Sequence, residues 1–368
     1  LTHRKRGKAF FFEKKKQKAF VCAVADLAGK ARVMVKAVWY KKEFFFKEEP
    51  KNFCELKWGR FFAAAFIVRR LKIKGVSLLT QPHSGTARRP SLTLLAACIA
   101  ITTILSLSVH AVMFDTFGIA HPDMTRVPTA AIVLNDALSV VATIVFTKMS
   151  SRAFNRFPMI LRCIFLTTIY AMLGEALLRN LIMDIVVSHD WVYCFVENLP
   201  RPLEDLSLCS LIVIAAPRLK TSWAMAVAGT AIAAVAVLVI NPPIDRLFAH
   251  FVASIEYLDT GNIYNPPYGW QVDVPSYLTF LEPVLASYAI AALVLDQMSP
   301  VAWRRLLQFA VLIMAMKGSI VPMLVYSFYQ PRPLPAALLS ESQFTLEILV
   351  MGMLTAIFWR RNTRRTGA

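Results

Sequence analysis

Between residues 92 and 359 the chain repeatedly runs for about twenty residues with almost no charge. That is the length an α-helix needs to cross the roughly 30 Å hydrocarbon core of a bilayer. The clearest stretches are Leu92–Met113, Pro128–Thr147, Met159–Leu178, Thr221–Ile240, Ser276–Leu295, Leu306–Phe328 and Pro335–Trp359. In lipid every backbone N–H and C=O must find its partner inside the protein, so runs of this length read as helices. An eighth run, Leu206–Pro217, has only 12 apolar residues and spans only if Pro202–Asp205 forms its polar outer end.

Basic residues between the runs arbitrate the count, because short cytoplasmic loops collect Lys and Arg. Eight spans with an inside N-terminus put 13 basic residues on the cytoplasmic side and 5 on the other. Without Leu206–Pro217, Arg304, Arg305 and the Arg-rich C-terminus would fall outside. The expected fold class is therefore all-α, a polytopic transmembrane helix bundle of about eight spans in residues 91–359, with both termini cytoplasmic. The first run also fits a signal peptide cleaved after Ala111, which would leave seven spans; its length favours a retained anchor. Outer loops are expected at residues 180–203 and 241–275, the second opening on Asn241-Pro242-Pro243 and carrying Tyr264, Tyr268 and Trp270 at headgroup level. A short basic tail, residues 360–368, closes the chain.

Composition sharpens this picture. The chain is 57% hydrophobic and 17% charged, well short of the roughly 25% charge of a soluble domain, and carries a net +18. Residues 1–75 account for +15 of that charge and for 15 of the 18 lysines, with triplets such as Phe10-Phe11-Phe12 and Lys14-Lys15-Lys16. A basic arm with interleaved aromatics could meet nucleic acid or an anionic membrane. Lys and Phe triplets are also what A- and T-rich DNA encodes, and the favoured reading is a mis-called start, with Val76 as initiator and 76–90 a short cytoplasmic tail. No nucleic-acid partner is expected; the lipid bilayer is.

Ionisable residues inside spans are the best functional pointers, since each costs roughly 2.5–3.5 kcal/mol at mid-span and needs a partner, water or a proton. Asp136, Lys317 and Glu347 fall near the centres of their spans, Glu282 in the outer half of the sixth, and Glu175 and Arg179 share a face near the outer end of the third. Gly318 follows Lys317 and Pro322 cannot donate to its carbonyl, so a helix break is expected where the charge sits. Glu282-Pro283 repeats that pairing of charge and breaker. Broken helices with midplane charges are a recurrent way to build transport sites.

Function follows from these placements as a permease or secondary transporter of a small solute or ion in the bacterial inner membrane. One alternative is a membrane-embedded enzyme working at the outer face on a lipid or cell-envelope substrate, through His121, His189 or His250 and nearby carboxylates. Another is a non-catalytic subunit of a larger complex, and a homo- or hetero-oligomer fits each reading. None of those histidines has a recognised zinc-ligand spacing, no phosphate loop, dinucleotide fingerprint or His-Glu-x-x-His occurs, and no cofactor is expected. Ala226, Thr230 and Ala234 form a small-residue ridge suited to close helix packing.

Overall fold

The computed structural model describes residues 92–188, 190–255 and 269–364. The basic segment 1–75, the tail 76–90, His189, Tyr264, Tyr268 and the last four residues lie outside them. Among the described residues every regular element is helical.

The helices are α1 (Leu92–Ala111, extended by a π-helical turn to Thr116), α2 (Thr129–Met149), α3 (Ser151–Phe154) and α4 (Met159–Leu173). There follow α5 (Arg179–Ser188), α6 (Trp191–Asn198), α7 (Pro200–Ala215), α8 (Ser222–Val235) and α9 (Asn241–Val252). The last are α10 (Trp270–Thr279), α11 (Leu281–Val294), α12 (Ala302–Lys317), α13 (Ile320–Leu324) and α14 (Leu334–Arg364). Five helical runs are long and apolar enough to cross a bilayer: Leu92–Thr116, Thr129–Met149, Ser222–Val252, Trp270–Gln297 and Leu334–Trp359. The chain is a multi-pass membrane protein whose apolar helices meet lipid.

Local chemistry explains the boundaries. Pro128 and Pro158, extended residues whose rings cannot continue a helix backwards, stand at the N-caps of α2 and α4. The Thr221 hydroxyl accepts the Ala224 N–H at 3.1 Å to start α8. Within the helices Thr102, Thr103, Thr143 and Thr147 donate to the carbonyl four residues back, which makes a hydroxyl tolerable in an apolar surround.

Several boundaries differ from expectation. The Asn241-Pro242-Pro243 break does not end its helix: a π-helical turn over Ala236–Ile240 absorbs the two missing donors, and the helix runs on to Val252. The connection 180–203 is largely helical, as α5 and α6. The short eighth run gains its polar end, since α7 begins at Pro200. The break near Glu282-Pro283 falls earlier, at Phe280, placing both residues in the first turn of α11.

Packing joins α1 to α14 and α11, α2 to α8 and α12, α4 to α7 and α11, and α12 to α14. One apolar core containing Phe146, Leu166, Ile212, Ile290, Phe309 and Ile348 runs through these contacts. Close approach is built from small residues: a Cβ on Gly352 would sit 2.9 Å from the Ala310 Cα, so α12 and α14 touch there backbone to backbone. On α8 the buried small residues are Gly229 and Ala233, while Thr230 is exposed; the packing ridge lies one residue from the expected one.

Candidate functional site

Two broken helices meet in the core. α4 ends at Leu173 in a Schellman motif: the Glu175 N–H donates to the Met172 carbonyl at 3.1 Å and the Ala176 N–H to that of Ala171 at 2.8 Å. The αL position of this motif, normally glycine, is held by Glu175 at φ 64°. α12 ends in the same way at Lys317, with Gly318 at φ 71° and the Ser319 N–H on the Met314 carbonyl at 3.0 Å. The expected break beside Lys317 is thus a full helix terminus.

The two ends are joined by charge. Lys317 Nζ donates to Glu175 Oε1 and, at 3.1 Å, to the Leu173 carbonyl, one of those that α4 leaves open. Arg179 Nε meets Glu175 Oε2 at 2.7 Å; its Nη1 donates to the Ser276 carbonyl at 2.7 Å, and its guanidinium lies 5.0 Å from the centre of the Phe280 ring. All three ionic side chains are at most 17% exposed.

Glu282 supplies the other half of the break. Its Oε1 accepts the Leu177 N–H at 2.9 Å and its Oε2 accepts those of Leu178 at 2.9 Å and Arg179 at 2.6 Å. These are donors that the start of α5 cannot satisfy internally, and a carboxylate suits a helix N-terminus electrostatically. Both oxygens are engaged in holding the α4–α5 junction against α11, which makes Glu282 a positioning group.

Glu347 is different. It is 5% exposed, lies within electrostatic reach of Glu175, Lys317 and Arg179, and no hydrogen bond or ion pair to a described residue reaches its carboxylate. Counted by formal charge, three carboxyl groups, Glu175, Glu282 and Glu347, stand against two cations, Lys317 and Arg179.

Asp136 belongs elsewhere. Its electrostatic neighbours are Arg201 and, more distantly, Tyr170 and Asp205; Asn135 Nδ2 approaches it at 3.4 Å. Arg201 stands 3.9 Å from both Glu204 and Asp205, and Ser139 links the Tyr170 hydroxyl (2.9 Å) to the Met316 carbonyl (2.6 Å). Lys317 therefore pairs with Glu175 rather than with Asp136. Glu175 was legible as a neighbour of Arg179, but its partnership with Lys317 was not, because Glu175 was placed near the outer end of its span and Lys317 near the centre of another. Glu204 and Asp205 were read only as part of the polar outer end of the short eighth run, and Arg201 as a basic residue of the outer side.

Among the described histidines, His110 and His121 lie among aromatic rings and His250 lies on α9. His121 packs with Phe114 (ring centres 4.6 Å), His110 (5.3 Å) and Phe344 (5.9 Å), and burial lowers its affinity for a proton. His250 lies beside Phe251 on α9, and His189 is outside the described residues. Among the described residues no group of three or more His, Cys, Asp or Glu could hold a metal ion. Cys194 and Cys209 are both free thiols.

Comparison with protein-family models, curated proteins and solved structures finds no match for the chain.

Proposed function

We propose that the chain is a permease or secondary transporter of a small solute or ion, with its coupling centre at Glu175, Lys317, Arg179 and Glu347. The observation that carries the reading is the Glu347 carboxylate, buried and without a partner among the described residues, beside an ionic network built on two helix ends. A proton or a small cation arriving at Glu347 would neutralise the surplus negative charge, and either is the kind of species a coupled transporter moves. Glu282 and Arg179 fix the geometry; Asp136, with Arg201 and Asp205, is a second charged station at the contact of α2 with α7.

Eight membrane crossings with both termini cytoplasmic, in the bacterial inner membrane, are the topology we assign to it. On this reading the five long helices are joined as passes by α4, α7 and the α12–α13 pair, and the distribution of basic residues supports the orientation. Hydroxyl bonds from α1 to its neighbours, Thr102 to Tyr288 (3.2 Å) and Ser108 to Tyr277 (3.1 Å), favour a first span that stays in the bundle.

Metabolite profiling of a strain lacking the protein, complemented with wild type or variants, tests the function. Wild type restores the accumulated or depleted solute. Compared at equal amounts in the membrane, Glu347→Gln and Lys317→Ala each reduce that restoration by at least about tenfold, the effect of removing one buried ionisable group from the centre. Full restoration by either variant would overturn the assignment.

A further inference from the structure

At the end of the bundle where α2 and α7 finish and α4 begins lies a cavity of about 320 Å3. That is roughly ten times the volume a water molecule occupies in the liquid. Lys148, Arg162, Thr147, Ser151 and Asn155 give it its polar lining, Phe154 and the last turn of α7 close it, and among the described residues no carboxylate borders it.

Neutral groups hold both cations in place. Lys148 Nζ donates to the Leu219 carbonyl and lies 3.5 Å from that of Ala216, so it closes the open C-terminal end of α7. Arg162 donates from Nε to the Phe157 carbonyl at 2.8 Å, from Nη1 to Asn155 Oδ1 at 3.2 Å and from Nη2 to the Asn155 carbonyl at 3.1 Å. Among the described residues no carboxylate forms an ion pair with either. An ammonium has three N–H donors and a guanidinium five, so one on Lys148 and two on Arg162 stay available. Two full positive charges are pre-oriented, undischarged, with spare donors and two hydroxyls beside them.

We propose that this cavity is an anion site that takes a phosphate group, carried by a phospholipid headgroup or as free phosphate. Phosphate offers the acceptor oxygens and charge that this lining lacks, and basic pockets between membrane helices bind such headgroups. Next to the cavity, Ile160, Ile164 and Phe165 of α4 are exposed and form an apolar track along which acyl chains can lie.

Melting and native mass spectrometry of the full chain in zwitterionic detergent test the site, with phosphatidylglycerol, phosphatidylcholine or inorganic phosphate added. Phosphatidylglycerol raises the melting temperature and stays bound, phosphatidylcholine does not, and stabilisation by inorganic phosphate as well identifies the free anion as a second source. Ser151→Glu places a like charge at the mouth of the cavity without touching the carbonyl contacts, and a carboxylate in the first turn of α3 favours that helix. This variant and Arg162→Gln each weaken binding about tenfold or more. Equal stabilisation by phosphatidylglycerol and phosphatidylcholine, or unchanged affinity in Ser151→Glu, would overturn the proposal.

Discussion

Glu175 holds a backbone conformation that suits glycine, and its charge explains why glycine is not there. A left-handed residue with a Cβ costs about 1–2 kcal/mol. Its carboxylate in turn joins Lys317 and Arg179 across two helix ends. Removing it would leave the Lys317 ammonium buried without an anion, which costs about 3–5 kcal/mol in comparable sites, so relief of backbone strain is the smaller effect. Glu175→Gly and Lys317→Met should each lower the melting temperature in detergent. The double variant should be less destabilised than the sum of the singles, with a coupling of about 0.5–3 kcal/mol. Additive effects would show that the pair contributes nothing to the fold.

Helices themselves were legible in the sequence; their ends were legible only where local chemistry sets them. Gly318 announces the end of α12, because glycine fits the left-handed position and Pro322 bars continuation. The signal at Leu173 is weaker: Gly174 follows it but keeps a right-handed φ of −75°, Glu175-Ala176-Leu177-Leu178 reads as good helix, and the break is sustained by Glu282, more than a hundred residues away, accepting three N–H groups of the new helix start. In the same way Pro242-Pro243 signals a stop that the π-helical turn before it removes. The candidate site was legible as a set of charges and illegible as a set of partners, since pairing depends on where helices end. Gly318→Ala tests the local half of this explanation. A Cβ there would strain a φ of 71° and lie 2.8 Å from Asn135 Nδ2, so the variant should lose about 1 kcal/mol or more in detergent melts. No loss would mean that the α12 terminus needs no left-handed glycine.

Across the whole molecule, the charge of +18 divides into a basic N-terminal segment and a bundle of residues 76–368 with a net charge of only +3. Within that bundle, charge is concentrated at helix ends: Glu175 and Lys317 at two breaks, Glu282 on the start of α5, Lys148 on the end of α7. Asp136 and Glu347 lie inside helices instead; among the described residues no ion pair or hydrogen bond reaches the Glu347 carboxylate, and on it rests the claim that water or a solute reaches the bundle centre. Thiol labelling tests that claim most directly. In a chain cleared of its six cysteines, Glu347→Cys and Leu346→Cys are exposed in turn to a membrane-impermeant methanethiosulfonate, which reacts only with a hydrated, ionisable thiol. Leu346 is 39% exposed on α14, and a lipid-facing thiol there is the control. Labelling of Glu347→Cys at least about tenfold faster than Leu346→Cys is the predicted result; equal protection of the two would contradict an aqueous path to the charged centre.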